Sequence, residues 1–263
     1  MPRPRRAEAA LIGVLGGSFA GLTGVGGGAI MVPLLTGRLG LGQHRAHGTS
    51  LAVIMFVATI GFLPYWRSGN VDWRLAFTLI PGALVGVYAG ARAMMKVPEL
   101  QLRLLFGVFL FFVAFRQLVW TVSAGSPTGG VEALAVDAAV GFAGGVLAGV
   151  LGVGGGAIFA PAIVILGLSS GDDLQKVAQG VSLAVIVATA ALGTATNLRQ
   201  DAVDVSLVGW IVPAAVLAAF GAALLANRVD ADLLRRIFGA TALLLGIETM
   251  YSAWRGMRQT TAA

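Results

Sequence analysis

The run Gly24-Val25-Gly26-Gly27-Gly28-Ala29-Ile30, closed by Pro33, returns letter for letter as Gly152-Val153-Gly154-Gly155-Gly156-Ala157-Ile158, closed by Pro161. Both copies sit within long stretches free of Asp, Glu, Lys and Arg, Ala9 to Gly37 and Ala138 to Gly171. Glycine has no side chain to restrict the backbone and costs about 1 kcal/mol relative to Ala inside a helix, so three in succession predict a break. Each stretch is too long for one simple membrane span and too short for two. The expected outcome is a pair of half-helices meeting inside the membrane, the second starting near Ala29 or Ala157. Pro33 and Pro161 lie too far into that second half-helix to be its first residue, so they are expected to kink it or free a carbonyl.

Working outward, Gly13 to Pro33 laid over Gly141 to Pro161 gives 13 identities in 21 positions. After a slip of four residues around 169–173 the offset becomes 132. It pairs Gly48, Ser50 and Leu51 with Gly180, Ser182 and Leu183, then Arg67 with Arg199, Asp72 with Asp204 and Pro81 with Pro213. Two copies of one unit are therefore expected, 1–125 and 126–263, forming a single functional membrane domain. This is the internal-repeat signature of many secondary transporters. The duplication also argues against reading Arg3, Arg5, Arg6 and the apolar run after them as a cleavable secretion signal.

Composition sets the solvent. Of 263 residues, 57% are hydrophobic and 11% charged, against roughly 25% charged in an ordinary soluble domain. Besides the two broken stretches, uncharged runs extend over Gly48 to Trp66, Leu75 to Ala91, Val177 to Leu198 and Val205 to Asn227. Leu104 to Val122 and Ile237 to Tyr251 each carry one charge, Arg116 and Glu248. About 20 helical residues cross a hydrocarbon slab, so the reading is an all-α, polytopic integral membrane protein of about eight hydrophobic segments in two pseudo-symmetric repeats, placed in the cytoplasmic membrane. If each broken segment crosses once, the 18 Lys and Arg divide nine and nine; if each returns as a hairpin they divide eleven and seven. Only the second option has a positive side. It leaves three full spans per half and so inverts the repeats.

The net charge of +6 comes from basic residues dispersed among segment ends, which fits membrane orientation and not nucleic-acid binding. No cysteine is present, which excludes disulfides and thiolate metal sites. Gly24, Gly26 and Ala29 satisfy G-x-G-x-x-A, but a dinucleotide site also needs a preceding strand and an acid about 20 positions on, and the nearest later acid is Asp72. No Walker lysine follows, no nucleophile–base–orienter grouping suggests an enzyme, and no cofactor is expected.

A half-helix that begins inside a membrane presents unpaired N–H groups and about half a positive charge, an anion site needing no cationic side chain. The candidate substrate-binding residues are accordingly Gly26, Gly27, Gly28 and Ala29 with Thr23, Thr49 and Ser50, and Gly154, Gly155, Gly156 and Ala157 with Ser182. His47 and Gln179 occupy equivalent places just before the Gly-x-Ser of each half and are candidates for substrate binding, His47 also for proton carriage; Asn197 is a further candidate with an inward-pointing amide. Arg67 and Arg199 are candidate mouths or, alternatively, interfacial cations paired with Asp72 and Asp204, and Pro33 and Pro161 are candidate gating residues. Glu248 reads as the only acid well inside an apolar segment, and His44 as loop. Gly82, Gly86 and Gly90, like Gly141, Gly145 and Gly149, have the four-residue spacing of helix packing. The scarcity of buried acids favours an anion over a cation as cargo.

The twofold G-V-G-G-G-A-I with its proline, together with Gly48-Thr49-Ser50-Leu51 and Gly180-Val181-Ser182-Leu183, resembles the TauE/SafE family over nearly the whole chain. The resemblance implies a multi-span permease for a small sulfur oxyanion, sulfite or an organosulfonate such as sulfoacetate. Val181 stands where the first copy has Thr49, so the half-sites differ by a hydroxyl. The resulting expectation is a secondary transporter working by alternating access, one half rocking against the other, with the lipid bilayer as its surroundings, protons as a candidate coupling ion and a homo-oligomer as a candidate assembly. The rivals are a channel-like anion facilitator and a non-transporting membrane accessory subunit.

Overall fold

The computed structural model describes residues 3–119, 131–152, 154–166, 168–169, 174–226 and 228–261. The boundary between the expected halves and the slip at 170–173 lie outside them. Among the described residues there are ten α-helices and no strand: α1 Arg3–Thr23, α2 Gly28–Gly37, α3 Gln43–Arg67, α4 Trp73–Met94, α5 Glu99–Val119, α6 Val131–Leu151, α7 Gly156–Ile165, α8 Leu174–Leu198, α9 Val205–Ala226 and α10 Ala231–Thr261. Five helical stretches are long and apolar enough to cross a membrane: α3, α4, Leu134–Leu151 of α6, α8 and α9. The other segments of the eightfold reading form α1 with α2, α5 and α10.

Burial is inverted relative to a water-soluble protein. Phe77, Phe112, Leu217 and Leu244 expose about two thirds or more of their surface, while His47, Thr49, Ser50, Ser182 and Asn197 are fully enclosed. Exposed apolar side chains with polar groups inside suit a lipid solvent, where bundle interiors and cavities hold the polar residues. Aromatic residues gather where α3 ends and α4 begins, with Phe62 and Trp66 packing on Trp73, which in turn stacks on Phe77. Arg6 lies over Trp210, 4.5 Å from the ring centre. Both arrangements suit the interfacial belt of a membrane protein.

The halves interlock. The first helix of each packs on the fourth of the other, α1 on α9 and α6 on α4, while α3 meets α8 and α5 meets α10. The glycine stripes explain why these helices come so close. Gly13, Gly17 and Gly21 lie on the backbone of Ile211, Ala215 and Ala219; Gly141, Gly145 and Gly149 lie on that of Leu79, Ala83 and Val87. A methyl group at any of these positions would strike a main-chain atom of the facing helix. Small residues thus allow backbone contact where lipid supplies no hydrophobic drive.

Contacts also set direction. Gly48 at the start of α3 lies on Ala202 just past α8, and Gly180 at the start of α8 lies on Asn70 just past α3, so these two helices are antiparallel. Gly107 of α5 packs beside Met250, and Gly246 of α10 beside Phe111, again antiparallel. Gly16 of α1 touches Met31 of α2, and Gly27 falls against Gly16 and Ala20, so α2 doubles back along α1.

Candidate functional site

Both breaks occur where the glycines stand. Gly24, Gly26 and Gly27 have φ of 69°, 86° and 81°; Gly152, Gly154 and Gly155 have 65°, 81° and 83°. The left-handed region costs an L-residue with a Cβ roughly 1–2 kcal/mol, so a turn that uses it three times selects glycine. Gly27 and Gly155 are the N-caps of α2 and α7, which start at Gly28 and Gly156, one residue earlier than the sequence suggests. The first helical bonds run from Ile30 and Met31 to the Gly27 carbonyl, and from Ile158 and Phe159 to that of Gly155. The amides of Gly28, Ala29, Gly156 and Ala157 precede those bonds. Pro33 and Pro161 fall inside α2 and α7, where a missing N–H leaves the carbonyls of Ala29 and Ala157 without their usual helical donor.

The two breaks meet. A Cβ on Gly156 would collide with the backbone of Val25, and one on Gly154 would press on Ile54 and Ile186 from the middles of α3 and α8. Each loop also rests on the start of the opposite half's unbroken helix, Gly24 against Gln179 and Gly152 against His47.

Polar side chains from α3 and α8 surround these contacts in two sets related by the 132-residue offset. In the first, the Tyr65 hydroxyl donates to the Gly21 carbonyl at 3.0 Å and lies 3.1 Å from Gln179 Oε1, while Ser182 Oγ donates to the Gly24 carbonyl at 3.0 Å. In the second, His47 Nδ1 donates to the Val150 carbonyl at 2.9 Å and His47 Nε2 accepts from Gln43 Nε2 at 2.8 Å. A carbonyl can only accept and an amide nitrogen can only donate, so this geometry describes a neutral imidazole with both nitrogens engaged. Arg103 Nε donates to Gln43 Oε1 at 3.4 Å, extending the chain to a cleft of about 40 Å³ lined by Thr36, Gln43, Arg103, Phe106 and Glu248. Ser50 and Asn197 complete the second set. Both are fully buried, and Ser50 Oγ and both polar atoms of the Asn197 amide have no partner among the described residues.

Other sequence candidates have local duties. Thr23 donates to the Phe19 carbonyl at 2.6 Å within α1. Thr49 Oγ1 accepts from the Asp204 amide at 2.9 Å. Asp72 and Asp204 accept from Leu75 and Leu207, capping α4 and α9. Arg67 and Arg199 are exposed at the ends of α3 and α8. The pairing of Arg199 with Asp204 is corrected by the ion pair that aspartate makes with Arg45, at 3.3 Å. Two further readings change. Glu248 is exposed, and the acid enclosed within an apolar helix is Asp137 of α6, 3% exposed and accepting from Thr78 Oγ1 at 2.8 Å. His44 lies in α3, not in a loop, with Nε2 3.0 Å from the Val97 carbonyl. Tyr65 and Gln43 escaped sequence reasoning, because neither carries a motif and each acts across a packed interface.

Residues 9–249 match the family described as Sulfite exporter TauE/SafE. The chain is 24% identical to the probable membrane transporter protein YunE of Bacillus subtilis (strain 168), over 92% of this chain and 96% of that one. It is 25% identical to YdhB of the same organism, also a probable membrane transporter protein, over 92% and 98%. A shorter match, 33% identical over 43% of this chain and 19% of the relative, is to the probable membrane transporter protein MamO of Paramagnetospirillum magneticum (strain ATCC 700264 / AMB-1). No solved structure matches. With a family match over most of its length and paired helix breaks at the centre of a lipid-adapted bundle, this chain belongs to the TauE/SafE family of membrane transporters.

Proposed function

We propose that the protein is a secondary transporter moving a small sulfur oxyanion, sulfite or an organosulfonate such as sulfoacetate, across the cytoplasmic membrane by alternating access. One observation carries the reading: two half-helices begin at left-handed glycine turns, and those turns touch each other at Val25 and Gly156 inside the bundle. Each half-helix start offers bare amides and the positive end of a dipole. Paired within one enclosed region, they suit a compact negative charge without a lysine or arginine that would bind it too tightly to release. Ser50 and Asn197 add neutral donors that are fully buried and have no partner among the described residues.

The interlocked packing shapes the motion. Because α1 is seated on α9 and α6 on α4, the moving bodies each take helices from both sequence repeats, 1–125 and 126–263, and the repeats do not rock as separate blocks. The hairpin of α1 and α2 and the antiparallel run of α3 and α8 accord with inverted repeats. The side bearing eleven Lys and Arg is then cytoplasmic. Reconstituted liposomes test the reading: sulfite and sulfoacetate uptake should saturate, and preloading with unlabelled anion should accelerate it. Flux no greater than through empty vesicles ends the transporter reading for these anions, and flux without counterflow acceleration assigns a channel.

A further inference from the structure

The repeat offset aligns two sets of polar residues that the fold treats differently. Tyr65, Gln179 and Ser182 correspond to Asn197, His47 and Ser50. In the first set no fully buried polar atom lacks a partner among the described residues; its hydroxyls close onto the carbonyls of Gly21 and Gly24. In the second, His47 closes onto Val150 in the same manner, but Ser50 Oγ, Asn197 Nδ2 and Asn197 Oδ1 remain open at 0% exposure. Thr194 Oγ1, three residues before Asn197 and hence on the same face of α8, is open as well. Leaving a buried polar atom unmade costs roughly 1–3 kcal/mol, and few such atoms persist in native proteins without a reason. Here Asn197 lies against Gly48, two residues before Ser50, and the twin set is closed.

We propose that the two half-sites are not equivalent: a single small oxyanion is held by the open set, with Asn197 and Ser50 donating to its oxygens, while the closed set of Tyr65, Gln179 and Ser182 locks the loop of the first repeat. This rests on the anion-transport reading above and adds to it a location and a stoichiometry of one anion per chain. The donors are neutral, so the anion's charge is offset by amides and helix starts and not by an ion pair. His47 holds the loop beside the seat through the Val150 carbonyl and acts as a positioning residue.

The two sets make opposite predictions for the same serine-to-alanine change. Ser50→Ala removes a hydroxyl that bonds nothing in the fold, so the melting temperature of the purified protein without anion stays level or rises, while its affinity for sulfite and for methanesulfonate falls about tenfold or more. Ser182→Ala removes a bonded hydroxyl, so the melting temperature falls while affinity stays within about threefold. Asn197→Asp keeps the shape but puts a carboxylate where the anion sits, and binding of both anions is lost. Titration calorimetry and anion-dependent thermal stabilisation read these effects in wild type and variants. Equal loss of affinity in Ser50→Ala and Ser182→Ala overturns the inequivalence. Anion affinity unchanged in Asn197→Asp, or sodium chloride stabilising that variant more than wild type, overturns the assignment in favour of buried water or a cation seat. A wild-type protein that no anion stabilises removes the transport reading itself, a result distinct from one in which wild type binds and the variants do not discriminate.

Discussion

His47 shows how a side chain with chemical promise is put to structural use. Its sequence position, one residue before Gly48 at the start of a span, invites a proton-carrying role, yet both ring nitrogens are engaged, one by a main-chain carbonyl and the other by the Gln43 amide. Its ring also lies 5.7 Å from that of Phe106, so burial is complete on all sides. Replacement by phenylalanine keeps the packing volume and orphans two buried polar groups, the Val150 carbonyl and the Gln43 amide. At roughly 1–3 kcal/mol for each group left unsatisfied, His47→Phe should destabilise the protein by about 2 kcal/mol or more in detergent, measured as a lowered denaturation midpoint. A variant as stable as wild type would show that the hydrogen bonds contribute nothing and reopen the imidazole for other duties.

Glycine has two separate uses here, and the helices distinguish them. At Gly17 a Cβ would overlap the Ala215 carbonyl of α9, whereas at Gly221, also within a helix, nothing beyond its own helix backbone lies within 4 Å of the site a Cβ would take. Gly17→Ala must therefore push α1 off α9, an overpacking cost of about 1–3 kcal/mol. Gly221→Ala should be neutral or stabilising by up to about 1 kcal/mol, the helix-propensity difference. Thermal denaturation of the two variants side by side decides it, and a Gly17→Ala protein as stable as wild type would refute close packing of α1 on α9. The four-residue stripes at Gly82 and Gly141 could be read from spacing alone, as could the helix breaks, because both follow from what glycine does to its own backbone. What spacing does not disclose is the facing helix. That the first helix of each repeat seats on the fourth of the other and that Tyr65 reaches Gly21 across 44 residues both depend on how the helices pack. Asp137 was overlooked for a related reason: at the edge of an apolar run it reads as a terminus, and only the packing of α6 on α4 encloses it beside Thr78.

The direction of the chain through the bundle is the broadest property on which a few contacts bear. If each broken segment crossed the membrane once, both halves would contain four crossings and run the same way, and the start of α3 would lie on the opposite side from the end of α8. The Arg45–Asp204 ion pair at 3.3 Å and the contact of Gly48 with Ala202 join those two points directly. Three spans and a returning hairpin per half satisfy both contacts, and they also produce the uneven division of Lys and Arg that a positive side requires. Because the chain contains no cysteine, single cysteines report this without a background. Ala7→Cys, Arg38→Cys and Asp201→Cys, at exposed positions near the start of α1, the end of α2 and the end of α8, should react with a membrane-impermeant maleimide from one side. Ser68→Cys and Arg228→Cys, exposed beyond α3 and α9, should react from the other. The informative comparison is Ala7 with Arg38: labelling from opposite faces would mean that α1 and α2 together cross the bilayer, and the inverted arrangement of the two glycine turns would fall with it.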